Sequence, residues 1–104
     1  MGQNEVYTAL GFAQRAGKLV SGETACEKAM RRGNVKLFVV DELASEPTKK
    51  RWMERCKNMN ITFAVVPQAA WAIGQEQKMA IAVIDPGFAQ MIQDAQASNT
   101  ISGI

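Results

Sequence analysis

The sequence predicts an α/β domain built as a three-layer α/β/α sandwich, with helices on both faces of a central mixed sheet. Three observations predict it. Segments of helical periodicity alternate with short apolar runs along nearly the whole 104-residue chain, the signature of a layered α/β fold. The run Leu37-Phe38-Val39-Val40 contains no polar residue, as a strand covered on both faces requires. Gly17, Gly33 and Gly74 each follow a helical segment, where left-handed C-terminal caps belong.

The first helix starts near Asn4, an N-cap residue, and carries Val6, Ala9, Leu10, Ala13 and Ala16 at helical spacing before Gly17. Lys18-Leu19-Val20 is a short strand or an extended connector. Ser21 and Gly22 offer the next helix start, where Ser21 competes for the cap with the Thr24 and Glu27 capping-box spacing. This second helix places Ala25, Cys26, Ala29 and Met30 on one arc and Lys28, Arg31 and Arg32 on the other. Gly33 stops it, and Val35 with residues 37–40 forms a buried strand. Ser45-Glu46-Pro47 opens a third helix with an apolar stripe of Trp52, Met53, Cys56 and Met59, opposite Lys49, Lys50, Arg51, Glu54, Arg55 and Lys57. A second buried strand follows from Ile61 to Val66, ended by Pro67, and then a short helix from Ala69 to Ile73 closed by Gly74. Met79 to Ile84 is the last strand. Asp85-Pro86-Gly87 caps the last helix, which holds Phe88, Ala89, Met91, Ile92 and Ala95. Residues 1–97 form one domain, and residues 98–104, which lack periodicity, are expected to be a flexible C-terminal tail.

With 47% apolar and 21% charged residues, the chain has the composition of an ordinary globular domain. The formal charge of +2 is unevenly distributed: residues 1–57 carry a net +4, and the remainder, with Lys78 against Glu76, Asp85 and Asp94, a net −2. Positive potential is thereby concentrated on part of the surface, as at an edge that meets phosphates. Cys26 and Cys56, with no CxxC spacing and no histidine in the chain, give neither a zinc site nor a disulfide framework and suit buried free thiols. No run approaches the ~18 apolar residues of a membrane span, and a cytoplasmic location is expected.

The segment from Gly17 to Thr24, GKLVSGET, has the glycine spacing of a phosphate-binding P-loop. Its chemistry is wrong, because Glu23 stands where a lysine must meet the phosphates, and Gly17 follows a helix where the motif needs a strand. No histidine, activated cysteine or fixed acid pair supports catalysis. Asp41-Glu42, at the carboxyl end of a strand, lies where ligands gather in such sheets, yet nothing near it in sequence completes a mechanism, and a solvated loop is the plainer expectation. The start of the second helix is the better site. Backbone N–H groups from Gly22 to Ala25 point outward, the helix dipole favours an anion, and Lys28, Arg31, Arg32 and Lys36 extend the positive face.

The succession GKLVSG, then KAMRRG, then KLFVV with an acid after it, then AIG, resembles the kink-turn RNA-binding ribosomal protein family of the large-subunit type, in particular its small bacterial YlxQ-like branch. The match spans about residues 5–92. The resemblance implies a non-catalytic, cofactor-free RNA-binding protein of the translation apparatus. Its partners would be ribosomal RNA or another kink-turn RNA and possibly other ribosomal proteins, with neither DNA nor membrane. The family's RNA-contacting helix opens with glycine, then a polar pair, then lysine; here these positions are Gly22, Thr24 with Ala25, and Lys28, flanked by Glu23. Ala25 has no hydrogen-bonding side chain. The acid after the strand falls on Glu42, and the following position, usually Asp in the family, is Leu43. The loop around Trp71 is about three residues shorter than the family pattern, and Trp71 is expected to be packed more than to stack on a base. These departures leave a second reading, a protein-interaction module of the same fold that has lost specific kink-turn recognition.

Overall fold

The computed structural model describes the backbone of residues 2–102 and the side chains of residues 5–97. Its elements are α1 (Gly2–Arg15), β1 (Leu19–Ser21), α2 (Glu23–Arg32), β2 (Leu37–Asp41), α3 (Glu46–Met59), β3 (Thr62–Val66), α4 (Ala69–Ala72), β4 (Ala80–Val83) and α5 (Pro86–Ser102). The four strands form one mixed sheet in the order β1-β4-β2-β3, with β4 antiparallel to both neighbours and β2 parallel to β3.

The pleat sorts the core into two halves. Leu37, Val39, Ile81 and Val83 pack with Val6, Leu10, Ile73 and Ile92 of the α1, α4 and α5 side. Their strand neighbours Phe38, Val40, Ala80 and Ala82 pack with Cys26, Met30, Trp52 and Cys56 beneath α2 and α3, because successive strand side chains point to opposite faces. The alanines at 80 and 82 leave room for Trp52, whose ring stacks on Phe38 at 4.5 Å between centroids. Its indole N–H donates to Glu23 Oε2 at 3.2 Å, which satisfies the polar atom of a fully buried tryptophan.

Several elements differ from the sequence expectation. The strand β3 is an edge, and only Val66 on it is buried; with β2 on one side alone, its other residues lack the cover that an inner strand receives. Met53 and Met59 are exposed, so the buried stripe of α3 narrows to Trp52 and Cys56. Arg51 and Arg55, placed by periodicity on the solvent side, instead lie 4.8 and 5.2 Å from the Trp52 ring centroid and pair with Glu23 and Glu27 of α2. Neither Ser21 nor Thr24 caps α2: Gly22 is its N-cap and no side chain takes the role. The helix α1 begins at Gly2, so Asn4 sits within it, and its side chain lies outside the described residues. The backbone of α5 remains helical through Ser102, since extending a nucleated helix costs little per residue; Gly103 and Ile104 lie outside the described residues. Ser45 and Asp85 do cap their helices, accepting from Thr48 N at 3.3 Å and Phe88 N at 2.9 Å.

Asp41 is 2% exposed, the one buried charged residue among those described. It is no part of a solvated loop: Oδ1 accepts from Leu43 N and Oδ2 from Ala70 N, both at 2.9 Å. Removing an acceptor from a buried N–H costs about 1–3 kcal/mol. Asp41→Asn is therefore expected to lower the urea unfolding free energy by about 1–3 kcal/mol, with Glu42→Gln nearly neutral as the control.

The Glu27 carboxyl is held below its ordinary value of 4.5 chiefly by the hydrogen bond from Arg55. A depressed carboxyl pKa supplies stability that is present above 4.5 and lost as pH falls through the folded-state value. Stability followed from pH 6 downward should thus decline below pH 4.5, and Glu27→Gln should flatten part of that decline.

Candidate nucleic-acid interface

The site expected at the start of α2 is assembled by the sheet. Gly22 N–H donates to Ala80 O at 2.9 Å, which continues the β1–β4 ladder by one residue and fixes where α2 begins. The backbone of Gly22, at φ 92° and ψ 155°, occupies a region essentially closed to residues with a Cβ. Since its own N–H is spent on β4, the outward-facing donors are those of Glu23, Thr24 and Ala25, which no side chain caps. They sit at the positive end of a ten-residue helix.

A cleft of about 430 Å³ covers this turn, lined by Ser21, Gly22, Glu23, Thr24, Ala25, Lys28 and Lys78. Lys78 is the residue that sequence reasoning missed. Its aliphatic stem lies over Gly22, such that a Cβ there would stand 3.4 Å from Lys78 Cδ, and the residue lines the same cleft as Lys28. No local signal marks it, for the sequence places it in the acidic half of the chain, and only the pairing of β4 with β1 brings it to Gly22. Gln77 and Lys78 continue on one side toward Ser45 and Thr48, and on the other toward Gly74 and Trp71. Trp71 is 60% exposed; its ring meets the edge of the Tyr7 ring, at 5.7 Å between centroids. The expectation of a packed tryptophan is thereby corrected: α4 is a single turn on the surface, too short to bury its outer residue.

The other predicted residues divide. Thr24 and Lys28 are exposed on the cleft, and Ala25 lines it half-buried. The carboxylate of Glu23 turns away to Arg51, at 2.5 Å, and Trp52. Glu42 is exposed at the end of β2, its N–H on Val66 O and its carbonyl accepting from Lys49 Nζ at 2.9 Å. Arg31 and Arg32 lie in the last turn of α2, and Lys36 at the opposite end of the sheet, bonded to Val83 O; none of these three lines the cleft.

The model of the Ribosomal protein L7Ae/L30e/S12e/Gadd45 family matches residues 4–93. The chain belongs to that family. It is 35% identical over 91 residues to the RNA-binding protein YlxQ of Bacillus subtilis (strain 168), covering 85% of this chain and 91% of that protein. It is 31% identical over 100 residues to the large ribosomal subunit protein eL8 of Cenarchaeum symbiosum (strain A), covering 92% of this chain and 79% of that one. A solved structure, that of a protein with unknown function from Bacillus halodurans C, superposes with a TM-score of 0.80 at 31% identity, over 88% of this chain and 95% of its own. The matched region of the family runs from α1 into α5 and includes every residue of the cleft.

Elsewhere, burial pushes the Cys26 thiol up to about 12 and the Cys56 thiol up to about 11, and both are free and fully buried. Among the described residues no cluster of three or more His, Cys, Asp or Glu could hold a metal, and no helix is long and apolar enough to cross a membrane.

Gly22→Ala places a Cβ in a glycine-only conformation and against Lys78. It should cost about 1–3 kcal/mol, read as a lowered urea midpoint, whereas Thr24→Ala should leave the midpoint nearly unchanged.

Proposed function

We propose that this protein is a non-catalytic RNA-binding protein that recognises a bent, structured RNA of the kink-turn type by its shape and phosphates, in association with the ribosome or translation. The observation that carries the reading is the cleft at Gly22. Three uncapped backbone donors lie at the helix N-terminus beneath it, and Lys28 and Lys78 line it. Such a site suits an anion that must approach the backbone closely. The relatives named as RNA-binding and ribosomal proteins support it. Contacts of this kind set position and orientation, while selectivity comes from the fold of the RNA. Trp71, exposed at the end of the same surface, suits stacking on an unpaired base.

A second reading, docking of a protein partner in place of specific kink-turn recognition, is favoured by Leu43. It is 78% exposed beside the site, at the position where the family pattern has an acid.

The purified protein should bind a kink-turn RNA with submicromolar affinity and more tightly than a matched duplex, with affinity falling as salt rises through counterion release. Lys28→Ala and Lys78→Ala should each weaken that binding by about tenfold, the loss of one charge-assisted contact, at unchanged stability. Equal affinity for the two RNAs in a calorimetric titration sinks the kink-turn reading, and absence of binding to either leaves the protein-docking one.

A further inference from the structure

The cations that the sequence grouped with Gly22 form a cluster of their own. Lys36 N–H donates to Val83 O at 2.8 Å and Ile84 N–H donates to Lys18 O at 2.9 Å, so Lys18 and Lys36 flank Ile84, the residue after β4, from either side. The first residue of β4, Ala80, is the one that holds Gly22. The length of this strand, about 10 Å, separates the two ends. Alongside it α2 runs from Gly22 to Arg31 and Arg32 in its last turn, ten residues or about 15 Å. The pleat gives Lys18 and Lys36 the parity of Val20 and Phe38, which pack on the α2 side of the sheet. Lys18, Arg31, Arg32 and Lys36 therefore share one end of one face.

Among the described residues these charges are not neutralised by ion pairs, and only Arg31 lies near enough to an acid, Glu27, to help lower its pKa. The arginines of α3 are consumed by Glu23 and Glu27. No ion pair joins a carboxylate to Lys18, Arg31, Arg32 or Lys36 among the described residues. Asp85, next to Ile84, spends Oδ2 on the N–H of Phe88. Cations in a last helical turn complement the dipole, which accounts for Arg31 and Arg32, but Lys18 and Lys36 stand on no helix.

We propose that Lys18, Arg31, Arg32 and Lys36 form a second phosphate-binding surface, which takes the backbone of a double-helical RNA segment apart from the Gly22 cleft. A protein partner would need an apolar centre to bury. Here the apolar residues among the charges offer little, since Gly33 has no side chain, Val35 is buried, and Val20 and Ile84 are half-buried against the core. A polyanion needs only the charges. The cluster grips RNA without reading bases, and the protein spans two segments of one RNA.

The test uses the full chain with Lys18→Gln, Arg31→Gln, Arg32→Gln and Lys36→Gln combined, checked for an unchanged fold by urea unfolding. A Lys18→Gln, Lys36→Gln pair leaves the α2 dipole untouched and serves where the fourfold variant is unstable. Binding is titrated against a plain RNA duplex and a kink-turn RNA with short or long helical arms, over a series of salt concentrations. The fourfold variant is expected to bind the duplex about tenfold or more weakly and to lose the added affinity of the long arms. Its salt slope should become shallower by about 2–4, with short-armed binding retained; the pair should show about half the change in slope. Wild-type affinity and slope on both the duplex and the long-armed RNA would overturn the proposal. Should the wild-type protein fail to prefer the bent RNA, the function proposed above falls, while the duplex comparison still decides this surface.

Discussion

The carboxyl of Asp41 is the constraint on which the functional end of the molecule depends. It sits where β2 leaves the sheet and takes two backbone donors, from Leu43 in the following turn and from Ala70 in α4. The backbone of the same residue donates to Met79 O and accepts from Ala44 N, and the next N–H, that of Glu42, reaches Val66 O. One position thus joins the end of β2, the end of β3, the start of α4 and the segment that carries Lys78. The helix α4 is only four residues long and has no cap of its own, so a buried acceptor from another strand is what holds its N-terminus. Were that acceptor absent, α4 would lose the anchor of its first turn, and the segment leading to Lys78 would keep only the backbone bond of Asp41 N–H to Met79 O as its tie to β2.

The pairing of α2 with α3 settles where the positive potential goes. Glu23 and Glu27 face Arg51 and Arg55, which enclose the Trp52 ring. Half-exposed ion pairs of this kind add little stability, ~0–1 kcal/mol each. Their larger effect is on the charge left over. With both acids of α2 paired to the arginines of α3, the cations left unneutralised by ion pairs on this helix are Lys28, Arg31 and Arg32, so a helix of small formal charge displays a largely positive face. The sequence counts could not reveal this, because they record charges without recording which ones neutralise each other.

The fold was legible where its cause is local. The apolar run around Phe38, the caps at Ser45 and Asp85 and the glycine stop at Gly33 are short-range signals, and the elements they mark are present. The family was legible as well, from the order of several short runs. What escaped is set by strand order, which no window of sequence contains. The strand Thr62–Val66 reads as buried by composition and is an edge because β4 occupies the centre. Asp41 reads as a solvated turn residue and is buried because α4 folds back over it. Lys78 belongs to the site because β4 pairs with β1, and Arg31, Arg32 and Lys36 fall outside the cleft because they stand at the last turn of α2 and the start of β2, at the other end of the sheet.

The departure at Ala25 has less force once the site is seen to be built from backbone. Ala25 still contributes its N–H at the start of α2, and only a side chain capable of reading a base edge is missing. Under the proposed RNA reading, attraction to phosphate survives that loss, because it arises from the uncapped donors, the dipole and two lysines. Discrimination then rests on geometry. Gly22 is confined to a conformation that only glycine adopts and is tied to Ala80, so the donors form a rigid pattern, and an RNA must bring its phosphates to them already bent. A rigid anion site selects for shape by refusing to adjust, and the same rigidity makes it intolerant of any substitution at Gly22.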